Sequence, residues 1–401
     1  MSQKIKHARF DFPMCQKGGV YLDNAATTYK PQCVIDAITN YYTNEYATIN
    51  RSVYAAATAA TEKYEGVRKK VSQFINAPSP ENIVFVKSTT DGLNLLSEVY
   101  AEAFMKAGDE VIISSYEHHA NIVPWQLAEK RHGIVLKVVP PKIDGTFDLN
   151  AFEKMLTPRT RLVSIAHVTN TTGYTMPLQE IVSLAHSKGV HVAVDGAQAV
   201  GHMPLNMQTL DVDFYTFSAH KMYGPTGVGV LYGIKDLLEK LPPYQGGGDM
   251  IDHVTFEKTT FQNAPYRFEP GTPNIAGVIG LGAAIDYLTH LGLTNIHDYE
   301  ISLMKNLLND FPDIEIHSQP NSSIVTFTHK AIHPLDLATS LSLENIAVRT
   351  GHLCAQPITQ ILGQPHLIRA SAALYTSDED IKAFRMVLKK TEELYTLPAK
   401  S

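Results

Sequence analysis

The chain has 401 residues, 44% hydrophobic and 18% charged, with a formal net charge of −6 at pH 7. This composition is typical of a soluble globular protein and excludes disordered and fibrous classes. The acidic balance argues against nucleic acid as a general partner, and the length allows one large domain and a smaller one.

No apolar run reaches the ~18 residues that a membrane span requires, so no membrane partner is expected. Residues 1–10 include basic side chains but no apolar stretch of the kind found in signal peptides. We therefore expect a cytoplasmic protein. Its three cysteines are too few and too scattered for a disulfide framework or a zinc site, which predicts reduced thiols.

From residue 82 onward, short apolar runs alternate with amphipathic stretches. The runs predict strands at 82–86, 110–115, 135–139, 161–168, 191–194, 213–217 and 228–232. The amphipathic stretches predict helices at 93–107, 122–132, 151–156 and 178–188. This order predicts an α/β domain with a mostly parallel sheet flanked by helices, whose ligand binds beyond the carboxyl ends of the strands. No helix separates the last two strands, so one of them is expected to run antiparallel.

The pattern changes after a glycine run at 246–248 and a polar segment that ends at 273. A long helical part is predicted at 275–311, with further helices at 334–343 and 378–395. Strands are predicted at 314–317, 323–329, 346–350 and 367–372. We therefore predict a leader (1–18), a large α/β domain (19–272) and a smaller C-terminal α/β domain (273–401).

Lys221 follows the predicted strand at 213–217, and the flexible sequence GPTGVG follows it at 224–229. A lysine at the mouth of a buried strand is partly desolvated, which lowers its pKa and makes it a nucleophile or Schiff-base donor. The alternative is that Lys221 only caps the strand.

Polar residues follow other predicted strands too. Thr90 lies in a run of hydroxyls where a helix begins, which suits a phosphate group and equally an ordinary helix cap. His118 either stacks on a planar ligand or forms, with His119, a histidine pair at the surface. Asp195 pairs with a cation on a ligand or bonds its own turn, and Asn170 is a ligand contact or a turn residue.

A phosphate cup, an imidazole, a carboxylate, an amide and a strand-end lysine in this order match what pyridoxal 5'-phosphate (PLP) needs. Its pyridine nitrogen must stay protonated for the ring to accept electrons, and a buried carboxylate achieves this. The sequence therefore predicts PLP as cofactor.

Five motifs stand at these positions: YLDNAA at 21–26, EHHAN at 117–121, VDGAQ at 194–198, SAHK at 218–221 and RTGHLCA at 349–355. They resemble those of the class V aminotransferase fold, specifically SufS-type (group II) cysteine desulfurases, over nearly the whole chain from about residue 19. The resemblance implies a fold type I PLP enzyme that converts L-cysteine to L-alanine. The sulfur would pass to an enzyme cysteine as a persulfide.

The resemblance also implies roles for single residues. Lys221 would bond to the cofactor aldehyde and move the substrate Cα proton, Asp195 would pair with the pyridine nitrogen, and His118 would stack on the ring. Gln198 would bond the ring hydroxyl. The residues that would hold the phosphate are Thr90, Ser218 and His220, with Thr272 reaching the neighbouring subunit's site, and those that would bind the substrate carboxylate are Arg369 and Asn170.

Cys354 would accept the sulfur. It lies between the basic Arg349 and His352 and the breaker Pro357, an environment that favours a thiolate, whereas an inert buried cysteine is the alternative. Cys15 and Cys33 have no such surroundings.

The chain departs from the family pattern at a few positions. Leu353 replaces a usual histidine directly before the cysteine and is expected to weaken thiolate formation or slow turnover. Asn50 and Ser52 stand where histidine and glycine are frequent. Asp91 replaces a common glutamate, which is expected to alter a link across a dimer.

Selenocysteine lyase and cysteine sulfinate desulfinase remain open alternatives, because the same fold and lysine serve all three activities. Kynureninase or a simple aminotransferase would not need Cys354, and a scaffold that has lost activity would not need the full set of site residues. The resemblance further implies a homodimer, a sulfur acceptor of the SufE or SufU type and a role in iron–sulfur cluster assembly.

Overall fold

The computed structural model describes residues 3–50 and 52–396, so the ends of the predicted leader and small domain lie outside the described residues. The strands are β1 Val20–Tyr21, β2 Ile83–Val86, β3 Glu110–Ser114, β4 Val135–Val139, β5 Thr160–Ala166, β6 His191–Asp195, β7 Phe214–Ser218, β8 Gly229–Gly233, β9 Ile251–Val254, β10 Thr259–Phe261, β11 Ile314–Ile316, β12 Ile324–His329, β13 Ile346–Ala347, β14 Arg349–Gly351 and β15 Leu367–Ser371.

The α-helices are α1 Gln3–Ala8, α2 Gln32–Asn40, α3 Ala55–Phe74, α4 Thr89–Phe104, α5 Val123–His132, α6 Leu149–Met155, α7 Leu178–Ser187, α8 Met207–Leu210, α9 Lys235–Leu238, α10 Ile275–Leu291, α11 Leu293–Met304, α12 Pro334–Leu343, α13 Gln356–Ile361 and α14 Asp378–Thr396. A π-helical turn spans Tyr41–Glu45, and short 3-10 helices include His119–Asn121 and Ala219–Lys221. Among the described residues, no single helix is long and apolar enough to cross a membrane; only α10 and α11 taken together, bent by 77°, pass that test.

Seven strands form the central sheet in the order β2-β8-β7-β6-β5-β3-β4. Strands β3 to β7 pair in parallel, and β8 runs antiparallel to both β7 and β2. The innermost strands are continuous apolar runs because helices cover both faces of the sheet. Since parallel strands end at the same edge, the residues that follow β3, β5, β6 and β7 meet there. The predicted sheet, including its antiparallel strand, is confirmed.

All seven strands predicted in this half are present, with ends that differ by no more than about two residues, as is usual for boundaries. Three differences stand out. Helices α2 and α3 were not predicted. The predicted helical part at 275–311 is two helices, because Gly292 adopts a φ of 84° between them. The predicted strand at 346–350 is divided between β13 and β14, which lie in different sheets.

A second, antiparallel sheet has the order β11-β12-β15-β14. The start of the chain joins this part of the molecule, because β1 pairs in parallel with β13 and Asp23 forms a bridge with Ser371. The Ser371 N–H donates to Leu22 O at 2.8 Å. The division into domains at 19–272 and 273–401 stays a prediction.

Candidate active site

A cavity of about 250 Å³ lies at the carboxyl edge of the central sheet. Its wall is built by the loops after β2, β3, β5, β6 and β7 and by residues from the C-terminal part. Ten of the eleven predicted site residues line it: Thr90, His118, Asn170, Asp195, Gln198, Ser218, His220, Lys221, Cys354 and Arg369. The structure therefore gathers into one cavity side chains that the sequence spreads over 280 positions, from 90 to 369.

Lys221 ends the 3-10 helix that follows β7, which places its amine in the cavity. Burial lowers its pKa from 10.5 to about 8, although the nearby Asp195 carboxylate opposes the shift. With such a pKa, about one lysine in ten is neutral at pH 7, against fewer than one in ~1,000 for an ordinary lysine. The amine is therefore able to attack an aldehyde at neutral pH.

Asp195 ends β6 between two parallel neighbours, and burial raises the pKa of its carboxyl group. Its Oδ1 accepts a hydrogen bond from the Ala197 N–H at 2.9 Å. A buried carboxylate in a ligand cavity needs a cation, which a protonated ring nitrogen supplies. Gln198 lines the same wall and donates from Nε2 to Ala25 O at 2.8 Å.

His118 precedes the 3-10 helix after β3, and its Nδ1 accepts from the Ala120 N–H at 3.0 Å. Burial, followed by the charge of Lys221, lowers the pKa of His118 to about 3. The ring is therefore neutral at physiological pH and presents an uncharged aromatic face to the cavity. Stacking on a cofactor ring stays a prediction.

The N-terminus of α4 meets the end of β7 beside Thr90. Ser88 is the helix cap, since its Oγ accepts from the Asp91 N–H at 3.2 Å. The Thr89 N–H donates to Ser218 Oγ at 2.7 Å. A helix N-terminus with nearby hydroxyls attracts an anion such as a phosphate group. The predicted cap and the predicted phosphate cup therefore coexist in this segment.

His220 and Thr272 differ in position. His220 lines the cavity with its Nδ1 3.1 Å from Thr27 Oγ1, and burial lowers its pKa to about 4. Thr272 lies outside and lines a separate cavity of about 230 Å³, together with Asp91. Its predicted role in the site of a neighbouring subunit stays a prediction.

Arg369, on β15, is buried and contacts two groups in the cavity wall. Its Nη1 donates to Asn170 O at 2.9 Å and its Nη2 to Asp23 Oδ1 at 3.3 Å. Its Nε–H is buried without a hydrogen-bond partner among the described residues. A buried guanidinium with an unused donor is a natural site for a carboxylate.

The Cys354 loop, residues 351–356, closes one side of the cavity. Asn170 donates from Nδ2 to Leu353 O at 2.6 Å, so its side chain supports this loop. Leu353 is buried and lines the cavity where the family resemblance leads one to expect a histidine. Cys354 is partly buried beside it. The effect of Leu353 on the thiol stays a prediction.

Sequence reasoning missed two residues of the site. Asp23 lies in the YLDNAA motif, but its pairing with Arg369 was not foreseen. His119 was interpreted only as half of a surface histidine pair, yet it contacts the Cys354 loop. In both cases the signal in the sequence was a polar residue inside a recognised motif, and the partner lies more than 230 positions away.

The residues in this cavity fit PLP. The buried Asp195 needs a cationic partner, the buried guanidinium of Arg369 keeps one N–H donor without a partner among the described residues, and Lys221 supplies an amine with a lowered pKa. Glycine at position 92 lets α4 start against β7, since a Cβ there would lie 2.4 Å from Thr216 Oγ1. These features provide a cation-binding carboxylate, an anion site and an aldehyde-reactive amine.

Gly196, directly after Asp195, is expected to tolerate no side chain. A Cβ at this position would lie 2.0 Å from Cε1 of the buried Tyr215. We expect Gly196→Ala to lower the free energy of unfolding by about 1–3 kcal/mol, as overpacking does. Denaturant melts would measure this change. Gly66→Ala is the matched control: a Cβ there meets nothing within 4 Å, so stability should hold or rise by about 0.5–1 kcal/mol.

The sequence matches the family described as aminotransferase class-V over residues 20–384. The chain therefore belongs to the class V aminotransferase family. It is 44% identical to the cysteine desulfurase of Escherichia coli O127:H6 over 98% of this chain and 100% of that protein. It is also 44% identical to the cysteine desulfurase of Cronobacter sakazakii, over 95% of this chain and 96% of that protein.

Solved structures agree with these relatives. The S-sulfonic acid form of the cysteine desulfurase CsdA from Escherichia coli superposes with a TM-score of 0.93 at 38% identity, covering 99% of this chain and 100% of CsdA. A C-DES variant with glycine covalently linked to its PLP cofactor has a TM-score of 0.82 at 25% identity, over 95% and 98% of the two chains. The predicted fold class and the predicted class V aminotransferase family are confirmed, whereas the SufS-type subgroup stays a prediction.

Proposed function

We propose that this chain is a PLP-dependent cysteine desulfurase, which converts L-cysteine to L-alanine and takes the sulfur onto Cys354 as a persulfide. The observation that carries the proposal is that Lys221, Asp195 and Cys354 line one cavity. The lysine and the aspartate serve PLP enzymes in general, whereas a thiol in the same cavity suits sulfur transfer.

PLP, when bound, withdraws electrons from the substrate Cα and so makes the bonds around it easier to break. Asp195 would keep the ring nitrogen protonated, and His118 would pack against the ring. The Lys221 amine, with its pKa near 8, takes the Cα proton and returns it. Arg369, which lines the cavity, would hold the substrate carboxylate with its guanidinium group.

Cys354 then attacks the substrate sulfur as a thiolate. The new S–S bond forms as the Cβ–S bond breaks, and a proton replaces sulfur at Cβ, so that alanine leaves. Atoms balance without an outside oxidant, because the substrate sulfur becomes the outer sulfur of the persulfide. The Cys354 loop brings the thiol within this cavity.

The wider setting follows from the family resemblance and is part of the same proposal. We place the chain among SufS-type enzymes that act in the cytoplasm as homodimers. The persulfide would pass to an acceptor of the SufE or SufU type for iron–sulfur cluster assembly. Thr272, which lies outside the cavity of its own chain, would complete the partner's phosphate site.

The decisive experiment is mass spectrometry of the purified protein after exposure to L-cysteine. We expect one added sulfur atom on the peptide that contains Cys354, removable by a thiol reductant, together with release of alanine. Peptides containing Cys15 and Cys33 serve as internal controls and should remain unmodified. Alanine release without sulfur on Cys354 would refute the nucleophile assignment.

Parallel assays with selenocysteine and cysteine sulfinate distinguish the alternative activities. Cysteine sulfinate carries no electrophilic thiol sulfur, so its turnover should not depend on Cys354. A desulfurase should show the strongest dependence on Cys354 with L-cysteine. Equal turnover of cysteine sulfinate in the parent protein and in a Cys354→Ala variant, with no turnover of L-cysteine, would favour a desulfinase instead.

A further inference from the structure

The Cys354 loop has a strained backbone. Leu353 and Cys354 both have a φ of 55°, and Gly351 has a φ of 105°. The left-handed region is unfavourable for residues with a side chain, and two such residues in succession are held only where the surroundings fix them. The conformation that directs Cys354 to the cavity therefore depends on contacts from outside the loop.

His119 supplies two of these contacts. Its backbone N–H donates to Cys354 O at 2.8 Å, and its Nε2 accepts from the Gln356 N–H at 3.0 Å. The two hydrogen bonds hold the loop backbone at Cys354 and at Gln356, on either side of Ala355. The His119 ring also lies 5.7 Å from the His352 ring, measured between centroids. Burial and the nearby His352 lower the pKa of His119, so the imidazole is neutral and Nε2 is free to accept.

The segment that carries His119 is firmly anchored. Asn121, two residues later, donates from Nδ2 to the buried Glu117 at 2.7 Å and accepts from Ser164 Oγ at 2.6 Å. Glu117 in turn accepts from the Ala166 N–H at 3.1 Å, on a central strand. His119 therefore links a rigid edge of the sheet to the strained loop.

We propose that His119 is a positioning residue that holds the Cys354 loop in its cavity-facing conformation through the hydrogen bond from Gln356 to its side chain. The proposal rests on the proposed function, because it concerns how the sulfur-accepting thiol is presented. When this bond is absent, the loop relaxes from its left-handed conformation and the thiol leaves the cavity.

The test compares the parent protein with His119→Leu, which removes the acceptor, and His119→Gln, whose amide oxygen reaches a position close to that of Nε2. Iodoacetamide labelling of the PLP-loaded protein without L-cysteine, followed by mass spectrometry, measures the reactivity of Cys354. We expect labelling to be about fivefold faster in His119→Leu, as loss of one hydrogen bond predicts, and within about twofold of the parent in His119→Gln.

Steady-state kinetics provide a second readout. His119→Leu should lower kcat by about fivefold while the KM for L-cysteine stays within about twofold, because Arg369 and the cofactor contacts are unchanged. His119→Asn is too short to reach Gln356 and should behave like His119→Leu. The exposed Cys33 provides a reference labelling rate that should be the same in every variant.

Two results would overturn the proposal. Unchanged Cys354 labelling and kcat in both His119→Leu and His119→Asn would show that the side chain does not hold the loop. Equal effects of His119→Gln and His119→Leu would assign the role to ring packing. If the parent protein forms no persulfide with L-cysteine, the proposed function fails. The ratio of Cys354 labelling rates between variant and parent is measured without substrate, so it still tests the contact between His119 and the loop.

Discussion

Replacing Lys221 by alanine is expected to abolish desulfurase activity and the covalent attachment of PLP. The amine is the group in the cavity that both bonds the aldehyde and moves the Cα proton, and loss of acid–base catalysis alone reduces rates by ~10²–10⁴-fold. Alanine release from L-cysteine measures the first effect. Borohydride reduction followed by mass spectrometry measures the second, since only an imine is fixed to the protein.

Lys30 is a matched control for this substitution. Burial lowers its pKa to about 8 as well, but its amine donates to Thr28 O and to His220 O and does not line the cavity. Lys30→Gln should keep the covalent cofactor and remain within about tenfold of parent activity. If Lys30→Gln lost the cofactor link and Lys221→Ala retained it, the assignment of the two lysines would be wrong.

Replacing Cys354 by alanine is expected to remove sulfide and alanine production while the protein still binds PLP. In the proposed mechanism the thiol attacks the substrate sulfur and has no part in binding the cofactor, so the absorbance of bound PLP should match that of the parent protein. Loss of the nucleophile should reduce turnover by on the order of 10³-fold or more. Sulfide release in the presence of a reductant, measured against cofactor content, checks both halves of the prediction.

Cys33 is the corresponding control, because it is exposed and is not one of the residues that line the cavity. Cys33→Ala should turn over L-cysteine at the parent rate. Normal activity of the Cys354→Ala variant would contradict the proposed sulfur transfer and leave a lyase that releases sulfur directly. Retained PLP without activity in that variant also excludes unfolding as the cause.

The strand ends of the central sheet were the most predictable part of the molecule. Continuous apolar runs identify buried parallel strands, and topology then brings their carboxyl ends to one edge. This rule identified Asp195 and Lys221 as candidate site residues, and both line the cavity. The prediction succeeds because local hydrophobicity identifies the strands and because parallel strands of an α/β sheet end at the same edge.

Contacts between distant segments were not predictable in the same way. The sequence suggested Asn170 as a substrate contact, but no pattern shows that its amide bonds the Leu353 carbonyl. Likewise, neither Asp23 nor Arg369 carries a local signal of their pairing. Helices α2 and α3 were not predicted, because their buried faces give a weak apolar pattern: α2 buries only Val34, and the buried face of α3 includes Arg68 and Ser72. The role proposed for Thr272 would depend on a second chain, which no single sequence describes.

The pairing of Asp23 with Arg369 joins residues 346 positions apart, and β1 reaches across the molecule to β13 in the same manner. During translation, the lysine and its neighbouring strands therefore emerge from the ribosome long before the arginine does. Contacts of such long sequence separation form slowly. Nascent chains that already bind the vitamin-derived cofactor should therefore show no turnover of amino acids until synthesis is almost complete.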